Sequence, residues 1–195
     1  MGYHSINELY EFTPDVQIAG SKVNPLVTTG ALNEAEFIDL RLSPQRSRVG
    51  IIFDVRWCDF EGSNTALVVL TGAGKISWAN GDNRQRPWYS TRGYWAPATS
   101  EWHPPATAGN GQIWAKDLDD ADDAVASLPT MLSEYVLGFD WLSASGLSAQ
   151  IYLGHIDGLD GAAPDMSELS DAEIIAGYPQ WSSMMEVREQ YIYPG

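Results

Sequence analysis

Residues 116–123 read KDLDDADD, which sets five carboxylates behind one ammonium. Side chains of that type and spacing can coordinate a hard cation, attract a cationic partner, or do no more than hydrate a turn. Spacing tests the first option. With Asp117 and Asp119 at the first two ligand positions of an EF-hand loop, Ala121 stands third, Asp122 falls where glycine must make the turn, and Leu128 falls where a bidentate glutamate belongs. The EF-hand reading fails. A metal site in this chain would be irregular, and its candidate ligands are Asp117 and Asp119 together with Asp157 and Asp160 from a second acidic stretch, 155–173. Adjacent like charges ordinarily occupy a solvated loop, so no cofactor is expected and calcium is the alternative.

Other catalytic chemistry finds little footing. His155 and Asp157 would point to the same side of a strand, but two ligands do not make a metal site, and three histidines with one cysteine do not suit tetrahedral structural zinc. There is no nucleophile elbow, no zinc-protease His pair and no phosphate-binding glycine loop. Cys58 shares parity with Asp54 and Arg56, which predicts one strand face for all three, and Asp59 beside it opposes a thiolate; the thiol is expected to be buried and inert. Carboxylate pairs for glycoside hydrolysis are defined by distance rather than by sequence spacing, so a carboxylate-based hydrolase stays as an alternative to a non-enzymatic chain.

Charge narrows the partner. Of the formal −15, residues 1–100 account for −1 (nine Lys/Arg against ten Asp/Glu) and residues 101–195 for −14 (two against sixteen). A half so acidic does not bind phosphate backbones, where lysine and arginine must displace counterions; nucleic acid is excluded there and a basic protein partner is favoured. Beside it, the stretch from Trp78 to Trp114 interleaves Trp88, Trp95 and Trp102 with Arg84, Arg86 and Arg92. Trp and Arg anchor protein interfaces; the same rings also stack on sugars or bases, or cap the open end of a β core. The leading expectation is an acidic interaction protein, of the kind that inhibitors and immunity proteins are towards cationic toxins. Asp119, Asp120, Asp122 and Asp123 would steer, and Trp95 and Trp102, with Trp88 and Arg92 nearby, would anchor. The alternative is a carbohydrate or small-molecule binding module using the Trp-rich loops.

The elements that must position these groups are mostly strands. Ile38, Leu40 and Leu42 alternate with Asp39 and Arg41. In 48–57, Val49, Ile51, Phe53, Val55 and Trp57 share one face. Residues 65–71 are apolar on both faces, as in a mid-sheet strand, and GlyAlaGly at 72–74 predicts a hairpin turn into 75–78. Further strands are expected at 111–116, across Tyr135–Trp141 and across Leu147–Leu153, while 183–195 reads equally as helix or strand. One helix is signalled, by the capping box Ser170-Asp171-Ala172-Glu173 with its stop at Gly177-Tyr178-Pro179. The fold class is mostly β, with α+β as the alternative: a single domain over 1–195, an antiparallel β sandwich or partly open barrel with a short C-terminal helix. The longest aliphatic run, 66–70, is too short to span a bilayer, the start MGYHSINELYEF lacks a secretory pattern, and one cysteine forms no internal disulfide, so a cytoplasmic protein is expected.

The stretches DLRLSPQRSRVGIIFDVRW, SNTALVVLTG, AQIYLGHIDGLDGAAPD and AEIIAGYPQWSS resemble an uncharacterised family of small acidic bacterial proteins. The resemblance implies a compact bacterial domain and carries no activity, ligand or site residue.

Overall fold

The computed structural model describes residues 2–16, 24–26, 28, 31–32, 34–73, 75–78, 135–138, 142–165 and 169–193. The acidic run 116–123, the strand expected at 111–116, and Trp88, Arg92, Trp95 and Trp102 lie outside the described residues. In chain order the elements are β1 (Tyr3–Ser5), α1 (Ile6–Phe12), β2 (Glu36–Ser43), a 3-10 turn (Pro44–Arg46), β3 (Arg48–Asp54), β4 (Thr65–Thr71), β5 (Lys75–Trp78), β6 (Tyr135–Gly138), β7 (Leu142–Gly146), β8 (Ser148–His155), α2 (Asp171–Gly177) and β9 (Met184–Tyr193).

The fold is mostly antiparallel β, as the alternation predicts. Six strands in the order β1-β9-β8-β4-β3-β2 curl into a half barrel, and β5-β7-β6 form a second, smaller sheet. β2, β3 and β4 pair as a meander, Leu40 opposite Ile51 and Ile51 opposite Val68. The ambiguous C-terminal stretch is a strand because β8 and β1 flank it on either side.

The central strands are apolar on both faces because both faces are covered. One side of β3, β4 and β8 presents Ile51, Phe53, Val68 and Ile151 to a core that Leu26, Leu32, Phe37 and Ala144 of β7 complete. The other side presents Ile52, Leu67, Val69 and Tyr152 to α1, through Ile6, Leu9 and Tyr10. α1 was not expected from the sequence. Ser5 accepts from Glu8 N at 3.1 Å and caps it, and Ile6, Leu9 and Tyr10 fall at helical spacing on its buried face. Tyr10 lies directly over Gly50: a Cβ there would stand 2.5 Å from the tyrosine ring and 3.0 Å from Trp181, so glycine is required by space.

Two expectations are corrected. GlyAlaGly at 72–74 does not make a hairpin: β4 already has β3 and β8 as neighbours, and the chain crosses to the second sheet, where β5 pairs with β7. The strand expected over 48–57 ends at Asp54. A turn in which Cys58 N donates to Val55 O leaves Trp57 46% exposed, and it packs Cys58 against the Phe53 side of the sheet, opposite to Asp54.

The register gives the sheet two chemically different ends. Ser43, Arg48, Thr71 and Ser148 form a row at one, and Glu36, Asp54, Thr65 and Gly154 a row at the other. Six strand steps put roughly 20 Å between the rows.

Candidate interaction surface

The far end of the sheet, beyond Asp54, Thr65 and His155, carries the described parts of the acidic segment, 156–165 and 169–173, and Asn64 holds the first of them in place. Asn64 is buried immediately before β4, where its amide nitrogen donates to Ile156 O at 2.9 Å and Leu159 O at 3.2 Å. Its Oδ1 accepts from Ile156 N at 2.9 Å and from the Thr65 hydroxyl at 3.0 Å. One side chain thereby satisfies three backbone groups that a loop leaving the sheet would otherwise bury unpaired. Ile156 and Leu159 sit in the core as apolar feet. The residues between and after them, Asp157, Gly158, Asp160 and Gly161, face water, and both glycines adopt positive φ (86° and 78°) in open space.

The second part of the segment is fastened at α2. Its capping box is formed as the sequence predicts: Glu173 Oε2 accepts from the Ser170 hydroxyl at 2.5 Å and from Ser170 N at 2.9 Å, and these bonds, the hydroxyl's first, hold the Glu173 carboxyl below the usual carboxylate range. Its C-terminus is tied by a buried ion pair. Arg56 donates to Asp54 Oδ2 from Nη2 at 2.5 Å and from Nε at 2.8 Å, and to Gly177 O at 2.8 Å; the two side chains are 6% and 0% exposed. The guanidinium lies 5.6 Å over the Tyr178 ring, whose hydroxyl donates to Pro164 O. Burial, and secondly the Glu36 carboxylate, push the Tyr178 phenol well up. Asp171 and Glu173 on this helix are exposed.

On the opposite face of the same end, β1, β9 and β8 set Tyr3, Glu186 and His155 side by side. Arg188 donates to Glu186 Oε2 at 3.1 Å and to Gly62 O, and His155 Nε2 stands 3.9 Å from Asp157 Oδ1. Asp157 is the main cause raising the phenol of Tyr3, which is exposed. Gly154 is needed in this region because a Cβ would strike the β9 backbone.

Among the described residues, the arginines at this end are already paired with carboxylates. Arg56 and Arg188 are committed to Asp54 and Glu186. Arg41, Arg46 and Arg48 lie towards the other end of the sheet, against α1. Of the sequence-derived candidates, the structure places Asp157 and Asp160 on this surface, exposed and 3 positions apart on the Asn64-held turn. Among the described residues no group of three or more His, Cys, Asp and Glu is disposed to hold a metal ion. Cys58 is half-buried, and burial pushes its thiol up to about 12. Asn64 and the Asp54–Arg56 pair were missed by sequence reasoning. Both residues of the pair stand two apart at a strand end, which is a legible signal; Asn64 bonds to partners 92 and 95 residues away, which is not. Among the described residues no helix is long and apolar enough to cross a membrane. No protein-family profile, curated protein or solved structure matches this chain.

Proposed function

We propose that this chain is a non-enzymatic acidic interaction protein that docks a basic protein partner through the sheet end bearing 156–173. One observation carries the reading. Asp157, Asp160, Asp171 and Glu173 face solvent on a segment fastened at Asn64 and Arg56, in a stretch without lysine or arginine from 117 to 187, while Arg56 and Arg188, the described arginines at this end, are paired with Asp54 and Glu186. Exposed carboxylates in excess on a fixed scaffold produce a negative field, which raises the encounter rate with a basic surface and repels acidic competitors. Asp119, Asp120, Asp122 and Asp123 extend the same charge in sequence, and Trp95 and Trp102 are the anchors whose burial would set the lifetime of the complex. A reducing, cytoplasmic setting accords with the single cysteine.

The test is capture from cell extract on immobilised protein at about 50 mM and about 500 mM salt, a range over which the Debye length falls from roughly 14 to 4 Å. Wild type is compared with the Asp157→Asn/Asp160→Asn/Asp171→Asn/Glu173→Gln variant and with Asn at 119, 120, 122 and 123. A defined basic protein retained at low salt, released at high salt and lost with the variants is expected. Retention indifferent to both salt and the substitutions would overturn the proposal.

A further inference from the structure

The end of the sheet remote from the acidic segment gathers positive charge in an otherwise acidic chain. Arg41 and Ser43 on β2 face Gly50 and Arg48 on β3 in register, Arg46 stands in the turn between the strands, and α1 lays Tyr10 over them. The three guanidinium groups are held without being saturated. Arg48 Nη1 donates to the last α1 carbonyls, Tyr10 O at 2.5 Å and Glu11 O at 2.6 Å. Arg41 donates to Asn7 Oδ1 and stacks 4.2 Å from the centre of the Trp181 ring. Arg46 is paired with Glu11 at the surface.

Two polar atoms remain. The Tyr10 hydroxyl and Arg48 Nε are buried and have no hydrogen-bond partner among the described residues; Tyr10 is 1% exposed, and burial raises its phenol while the neighbouring Ser43 side chain opposes that rise. Buried donors left unpaired cost free energy that a structure retains only for a reason. Both donate, and the Arg41 and Arg48 guanidinium carbons stand 5.7 and 6.0 Å from the centre of the Tyr10 ring, with Arg46 in the adjoining turn, so the group that would satisfy them is a negatively charged acceptor. The carboxylates facing the cluster are already engaged, Glu11 by Arg46 and Asp39 by Trp181 Nε1 at 2.6 Å. We infer that Arg41, Arg46 and Arg48, with the Tyr10 and Ser43 hydroxyls, form a binding site for a tetrahedral oxyanion of the phosphate class. The Arg46–Glu11 pair is the movable rim: Arg46 is 56% exposed there, and exposed pairs of this kind open at little cost. The site stands apart from the acidic surface and does not depend on the function proposed for it.

The experiment titrates the whole chain with inorganic phosphate, and separately with phenyl phosphate, by calorimetry against chloride at matched ionic strength. Saturable phosphate binding is expected, weakened about tenfold by Arg46→Gln and by Tyr10→Phe, each of which removes one donor to a charged acceptor. Equal affinity for the two ligands assigns the free anion, and tighter phenyl phosphate assigns an ester. Tyr10→Phe keeps the ring over Gly50, so its thermal midpoint in chloride is expected to match or exceed wild type. Heats no different from chloride would overturn the inference, as would phosphate affinity unchanged in both variants; a lowered midpoint for Tyr10→Phe in chloride would instead assign the hydroxyl to a buried water and reject the site.

Discussion

Replacing Asn64 by alanine removes four hydrogen bonds from one buried point. Three of them serve backbone groups, Ile156 N, Ile156 O and Leu159 O, at 2.9, 2.9 and 3.2 Å. At about 1 kcal/mol for each bond lost, and more for any group left buried and dry, the expected destabilisation is about 3–4 kcal/mol. Water entering the gap would lower it; release of Ile156 and Leu159 from the core would raise it. In urea, with an m-value of about 2 kcal/mol/M, this is a midpoint lower by about 1.5–2 M at unchanged slope. Amide exchange at Ile156 and Leu159 should accelerate more than exchange in β3, because the anchored turn opens before the sheet does. Asn64→Asp sharpens the test: it keeps the acceptor for Ile156 N and the Thr65 hydroxyl but turns a carboxylate towards two carbonyls, so it should be at least as damaging near neutral pH. A loss below about 0.5 kcal/mol with exchange unaltered would refute the claim that this amide holds the acidic turn.

Asp54→Ala should cost about 3–5 kcal/mol by leaving the Arg56 guanidinium buried without its carboxylate, whereas Asp54→Leu with Arg56→Met should recover most of the loss; urea midpoints of both decide. Cys58, with its thiol pushed up to about 12, should be thiolate in roughly one molecule in ten thousand at pH 8, so aromatic disulfide reagents should label the native protein only at its opening rate, and rapid labelling would contradict the burial. Glu173 has a lowered folded pKa, so its contribution to α2 is present above the ordinary carboxylate value of about 4.3 and is lost as pH falls through the folded value. The helical signal of α2 should fade in that acid window in wild type and stay level in Glu173→Gln, which keeps the capping geometry without titrating.

β2, β3, β4 and β8 were legible from a two-residue period or an apolar run, and the both-faced apolar run 65–71 marked the sheet centre that β4 occupies, whereas three-residue β1 was not expected and β9 read equally as helix or strand. α2 was legible from its capping box. α1 carries a similar signal, Ser5 followed three residues later by Glu8 before buried Leu9 and Tyr10, but seven residues give too few turns for periodicity to stand out. The hairpin expected at 72–74 failed because local glycines permit a reversal but do not choose the partner, and β8, remote in sequence, took the edge of β4. At the surface, Asp157 and Asp160 stood out in the sequence only as candidate metal ligands, and the structure shows both exposed. What holds them was not legible: Asn64, and the Arg56 bond to Gly177 across 121 residues, are long-range pairings that no local spacing encodes.

The central claim is tested most directly by the association rate of the captured basic protein, followed by stopped flow as ionic strength rises, for wild type and for the variant neutralised at 157, 160, 171 and 173. The account predicts a rate that falls steeply with salt in wild type, a low and nearly flat rate in the variant, and convergence of the two at high salt. Equal rates with equal salt slopes for the two proteins would contradict it.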